Sequence, residues 1–206
     1  MISGLEALAR LREGNQRFVA DQGTAASVST HARREALVAG QEPFAIVLGC
    51  SDSRVPAELV FDQGFGDLFV IRVAGNIVAP SQIGSVEFAA ARFGTPLVVV
   101  LGHTQCGAIT ATLEELLGKA VTPTRSLRSI VNRVRPSVET LLSMAGTGDL
   151  DALKDNAMRA NVRASVDHLR HGSELLETLI ADRGLMIVGA TYSIETGVVE
   201  FLDEGR

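Results

Sequence analysis

Phe44-Ala45-Ile46-Val47-Leu48, running straight into Gly49-Cys50-Ser51-Asp52-Ser53-Arg54, is the stretch on which the architecture turns. An apolar run without alternation fits a strand buried on both faces, as in a parallel sheet. The same signature returns at Leu68–Val73, Leu97–Leu101 and Leu185–Val188. Between these runs lie helical patterns. Gln82–Phe93 puts Ile83, Val86, Ala90 and Phe93 on one face and stops at Gly94. Ala108–Leu117, Leu127–Met144 (interrupted or offset at Pro136) and Asp155–His171 follow, and Ser173 caps a helix running to Asp182. Strands alternating with helices predict βαβ crossovers and an α/β fold with a mostly parallel sheet of about four strands. Val198–Leu202, reached from Leu185–Tyr192 through the tight turn Glu195–Gly197, adds an antiparallel edge strand.

Outward from this frame, Ser3–Val19 reads as an amphipathic helix. Ser3 and Glu6 have capping-box spacing, and Leu5, Leu8, Leu11, Asn15, Phe18 and Val19 form its stripe. That stripe suits packing on its own sheet or on a partner subunit, and the sequence leaves both open. Gln22–Ser29 is a loop, and Gly146–Asp151 joins two helices. No composition shift divides the chain, so residues 1–206 are expected to form one domain.

With 46% hydrophobic and 21% charged residues, the 206-residue chain can build a core and is not a disordered tail. Eight Phe, one Tyr and no Trp leave that core to Val, Leu, Ile and Ala. A balance of 24 acidic against 19 basic side chains, net −5, argues against nucleic acid as a partner. The longest apolar stretches, Phe44–Gly49 and Leu97–Gly102, fall far short of the roughly 18 residues a bilayer span needs. Glu6, Arg10, Arg12 and Glu13 interrupt any secretion signal, so a cytoplasmic protein is expected. Arg125, Arg128, Arg133 and Arg135 read as a solvated helix face rather than an anion site.

Cys50 and Cys106 are the only thiols and do not form a CxxC pair. A cytosolic disulfide would be unusual, and free cysteines are commonly just small buried hydrophobes. Their neighbours argue for more. The second cysteine lies in Gly102-His103-Thr104-Gln105-Cys106-Gly107, again at the carboxyl end of an expected parallel strand. Ligands of open α/β sheets bind along that edge. A Cys₂His set suits Zn²⁺ and leaves a fourth position open, which points to catalysis. HxxC alone would be a weak signal, and His31, His168 and His171 receive no role. Asp52 and Arg54, two apart in an extended segment, can pair beside Cys50. A carboxylate there either binds the metal or, held by Arg54, accepts a hydrogen bond from metal-bound water. On an ordinary surface the same ion pair would be worth little.

CSDSR at Cys50–Arg54, with HTQCG at His103–Gly107, resembles the β-class carbonic anhydrases. Leu8–Phe18, Arg72–Asn76, Gly84–Phe88, Pro96–Gly102 and Val188–Val199 are also similar to segments of that family, and Gly118–Asp149 is the least similar part. The resemblance implies one Zn²⁺ per chain on Cys50, His103 and Cys106. Asp52 is then the partner of Arg54 or a conditional fourth ligand, and Asp52 and Arg54 are the catalytic pair. It implies a substrate pocket with Gln41, nine residues before Cys50, and walls from Phe69, Ala74 and Gly107. Phe88 stands where the family often has Tyr, which removes a hydroxyl. Val47 stands where one subgroup has the Trp of a non-catalytic bicarbonate site, so that site is expected to be absent. The implied reaction is CO₂ + H₂O ⇌ HCO₃⁻ + H⁺, by attack of zinc-bound hydroxide. Two thiolates cancel the charge of Zn²⁺, so activity should rise toward alkaline pH, and Asp52 moving from Arg54 to the metal would shut the site. The implied assembly is a homodimer, or a dimer of dimers, sharing pocket residues across the interface. A relative acting on CS₂ or COS would use every one of these ligands, and a zinc or redox sensor would use the two thiols without Gln41, Asp52 or Arg54.

Overall fold

The computed structural model describes residues 2–24, 30–145 and 149–202. Its strands are β1 (Ala45–Gly49), β2 (Leu68–Arg72), β3 (Leu97–His103), β4 (Met186–Tyr192) and β5 (Val199–Phe201), in the order β2-β1-β3-β4-β5. The first four are mutually parallel and β5 is antiparallel to β4, as the apolar runs predict. Side chains alternate between the faces of a strand, and here both faces are covered. Ile46, Leu48, Val98, Val100 and Ile187 join the core beneath the helices α4 (Pro80–Phe93), α5 (Gly107–Leu116), α6 (Arg125–Ala145), α7 (Leu150–His171) and α8 (Glu174–Arg183). Ala45, Val47, Val99, Leu101, Val188 and Ala190 face a second cluster, built with α1 (Gly4–Val19) and α3 (Ala57–Val60). Continuous apolarity is therefore required of β1 and β3.

Close approach of α7 fixes where β3 ends. A Cβ on Gly102 would sit 2.5 Å from Val162 Cγ2, and one on Gly189 2.8 Å from Val162 Cγ1, so glycine is required at both points of contact. In register, Gly49 of β1 lies opposite Leu101 of β3, so Cys50 and the His103–Cys106 segment leave adjacent strands at the same edge.

Several expectations are corrected. The capping box forms, but the buried face of α1 is Ala7, Leu8, Leu11, Gly14 and Asn15, with Leu5 65% exposed and Val19 42%. That buried face packs on the chain's own sheet, one of the two alternatives the sequence leaves open. Pro136 does not interrupt α6, because Val131, Val134 and Val138 on either side of it stay buried and hold the helix to the core. Leu150 begins α7, capped by Asp149, so the expected connector is shorter than Gly146–Asp151, and residues 146–148 lie outside the described residues. Two short helices went unread: α2 (His31–Ala36), which buries nothing, and α3. Of the arginine run, Arg135 pairs with Glu115 and Glu139, and Arg128 donates to the Thr122 carbonyl, so this face also ties α6 to α5 and the loop after it.

Asn15 locks α1 in place. Its Nδ2 donates to the carbonyls of Val60 (3.0 Å) and Gly197 (2.9 Å), and its Oδ1 accepts from the Val199 N–H (2.9 Å). Asn15→Leu leaves three polar groups without those partners and should cost roughly 2–4 kcal/mol, read as a lower urea midpoint. An unchanged midpoint would contradict this role.

Candidate metal centre

Strand β1 delivers Cys50, β3 delivers His103, and Cys106 is the N-cap of α5. All three are buried, and one donor atom from each lies within 4.8 Å of the others. The Sγ atoms are 4.0 Å apart. His103 is fully buried, with Nδ1 2.9 Å from the Thr104 carbonyl. A carbonyl can only accept, so Nδ1 carries the proton and Nε2 presents a lone pair. That Nε2 is buried and has no hydrogen-bond partner. A buried acceptor left unpaired beside two soft sulfurs fits a metal ion.

The two thiols share their protons unequally. Cys50 is drawn down to about 4, first by the hydrogen bond from Cys106, with the Gly75 N–H adding to it. Cys106 is pushed well above the usual thiol range, first by that same bond to Cys50 and then by burial. Arg54 holds the Asp52 carboxyl well below the usual carboxylate range. The pairing is bidentate: Nε to Oδ1 at 2.9 Å and Nη2 to Oδ2 at 2.7 Å, with the Arg54 backbone N–H also on Oδ1 at 3.0 Å. Asp52 Oδ2 then lies 4.0 Å from His103 Nε2.

Residues not singled out from the sequence complete the setting. Gln105, in the left-handed region at φ +58°, accepts from Arg54 through its side-chain and backbone oxygens, each at 3.3 Å. Arg72 donates to the carbonyls of Cys50 and Asp52 and so fixes the loop after β1. The Gly75 N–H donates to Cys50 Sγ at 3.3 Å. Arg72 and Gly75 belong to the RVAGN stretch, whose similarity to the family was the only signal for them.

The expected pocket residues divide. Ala74 and Gly107 meet in one cavity of about 370 Å³, lined also by Ala108, Ala111, Val121 and Val131. Gln41 precedes β1, at the opposite end of the strand from Cys50, and is exposed. At about 3.3 Å per residue the intervening strand alone separates them by roughly 15 Å. Phe69 pairs in register with Ile46 on edge strand β2 and forms an aromatic cluster with Phe88 and Phe93. Phe88 is 55% exposed. Gln41, Phe69 and Phe88 therefore do not join Cys50 within one chain, because the parallel sheet carries them away from its carboxyl edge.

The family model described as carbonic anhydrase matches residues 45–199. Carbonic anhydrase 2 of Mycobacterium tuberculosis is 41% identical over 187 residues, covering 91% of this chain and 87% of the relative. A carbonic anhydrase of Mycolicibacterium smegmatis is 41% identical over 190 residues, 92% of this chain and 89% of the relative. Among solved structures, a β-carbonic anhydrase of Aspergillus fumigatus superposes with a TM-score of 0.76 at 27% identity, over 87% of this chain and 85% of that one. One of two tetrameric β-carbonic anhydrases of Sordaria macrospora gives 0.75 at 25% identity, over 84% and 87%. The fold, the Cys₂His cluster and these matches together define a class, and the chain belongs to it: the β-carbonic anhydrase family. Its reaction is the reversible hydration of carbon dioxide to bicarbonate and a proton.

Two outcomes follow from the thiol geometry. His103→Ala should keep its helical circular dichroism and lower metal affinity at least about tenfold, measured by competition with a chromophoric chelator. Metal-free protein at neutral pH should show ultraviolet thiolate absorbance from one of its two cysteines, since Cys50 lies below and Cys106 above the working range. Absorbance from neither would contradict the shared-proton description.

Proposed function

We propose that carbon dioxide hydration runs at one Zn²⁺ per chain, held by Cys50 Sγ, His103 Nε2 and Cys106 Sγ, with Asp52 and Arg54 as the catalytic pair. The observation that carries this is the buried, unpartnered Nε2 of His103 within 4.8 Å of both sulfurs. Zn²⁺ in such a set supplies Lewis acidity that brings the pKa of water toward neutrality.

The chain's own groups do the rest. Arg54 occupies Oδ1 of Asp52 twice and one side of Oδ2, so the carboxylate stays ionised and points its remaining Oδ2 lone pair past the His103 ring. That oxygen accepts a hydrogen bond from the attacking water and orients it. Released by Arg54, the same carboxylate, with Oδ2 4.0 Å from His103 Nε2, could become a fourth ligand, which would close the site. Gln105 supports the open arrangement by engaging both Nη atoms of Arg54. Ala74 and Gly107, the latter next in sequence to Cys106, line a cavity walled mostly by aliphatic carbon, which suits apolar CO₂.

Gln41, Phe69 and Phe88 serve a site only if a second copy of the chain brings them there. A homodimer, or a dimer of dimers, is therefore part of the proposal. It is supported by the exposed Phe88, by β2 being the outermost strand among the described residues, and by the tetrameric state of the Sordaria macrospora enzymes. A cytoplasmic setting suits a centre built on two thiolates, which a reducing compartment preserves. No helix among the described residues is long and apolar enough to cross a membrane.

Stopped-flow CO₂ hydration tests the pair: Arg54→Ala should retain metal and lose about 10²-fold or more in kcat. A metal-replete, fully active variant would refute the assignment. Co-expressed Gln41→Ala and Cys50→Ser chains should regain activity that neither has alone, because one mixed site is complete. Activity no greater than the sum of the two parents would place Gln41 outside the shared pocket.

A further inference from the structure

The turn between β2 and α4 is an expensive piece of backbone. Gly75 (φ +72°) and Asn76 (φ +41°) both lie in the left-handed region. Asn76 is 1% exposed, and its Nδ2 has no partner within the described protein. Left-handed geometry at a non-glycine residue and an unpaired buried amide each cost free energy, so such a turn persists only where its surroundings hold it.

Two side chains of α7 hold it. Asn161 and Ser165 stand one helical turn apart, in a buried stripe otherwise made of Leu153, Ala157, Met158, Val162, Val166 and Leu169. Packing alone would fill both places with aliphatic residues. Asn161, 2% exposed, donates from Nδ2 to the Gly75 carbonyl at 2.9 Å. Ser165, 5% exposed, donates from Oγ to the Asn76 carbonyl at 3.2 Å. The N–H of Gly75 in turn donates to Cys50 Sγ at 3.3 Å. Cys106, the N-cap of α5, makes no capping hydrogen bond through its side chain. The turn that supplies Cys50 is anchored by a distant helix.

We propose that Asn161 and Ser165 are positioning residues for the metal centre: by anchoring the carbonyls of Gly75 and Asn76, they keep the Gly75 N–H aimed at Cys50 Sγ. The inference rests on Cys50 being a metal ligand. A hydrogen bond to a thiolate stabilises its lone pairs, so the sulfur passes less charge to the cation and leaves it a stronger Lewis acid. Helix α7 thereby sets the electronic character of a ligand through the turn that it anchors.

The test uses Co²⁺-substituted protein and reads the ultraviolet sulfur-to-cobalt charge-transfer band. Asn161→Ala should move that band to lower energy, because a sulfur deprived of its donor holds its lone pairs less tightly. Ser165→Ala should move it the same way by less. Val166→Ala, a packing loss on the same helix face, should lower stability and leave the band in place. An unmoved band in folded Asn161→Ala overturns the proposal, as does an equal shift in Val166→Ala. Should Asn161→Ala fail to fold, Ser165→Ala decides by the same criterion. A band that Cys50→Ser leaves at its wild-type intensity would instead refute Cys50 as a ligand, so the two failures are distinguishable.

Discussion

Two sulfurs 4.0 Å apart and an imidazole nitrogen with nothing to bond, all buried, form the constraint around which this molecule is organised. Left alone, such a cluster is unfavourable: the thiols compete for protons and an acceptor is stranded away from water. A divalent cation relieves both problems at once, since thiolates and a neutral imidazole are the forms that it binds. Parallel pairing of β1 with β3 makes the encounter possible, because both ligand-bearing segments leave the same edge of the sheet. Burial of that sheet on both faces keeps the encounter dry.

The surroundings hold Cys50, His103 and Asp52 in place through their own hydrogen bonds. Thr104 fixes the tautomer of His103, Arg72 holds the loop that carries Cys50 and Asp52, and Arg54 keeps Asp52 ionised and turned. Gly102 and Gly189 admit α7 close enough for Asn161 and Ser165 to reach the turn beneath Cys50. Close packing of this helix and support of the metal centre are thus one structural decision.

Much of this was legible in the sequence, for identifiable reasons. Continuous apolar runs mark doubly buried strands, so β1 to β4 and their parallel sense could be read directly, whereas the order β2-β1-β3-β4-β5 could not. Cys50, His103 and Cys106 could be placed because each follows such a run or lies within a few residues of its end. Short helices without a buried stripe, such as α2, leave no periodic trace. Asn161 was silent because its partner is a backbone carbonyl far along the chain, and Gly75 signalled only through the similarity of its RVAGN stretch. Gln41 shows a different limit: similarity named it for the pocket, yet the sheet puts it at the opposite end of β1 from Cys50, and the proposed second chain is what would reconcile the two.

The central claim is a single cation on two sulfurs and one imidazole. X-ray absorption at the zinc edge of the purified, zinc-loaded protein reads that set directly. It should show two sulfur neighbours at about 2.3 Å and one imidazole nitrogen near 2.0–2.1 Å, with the remaining scatterer a light atom. A shell of nitrogen and oxygen alone would contradict it.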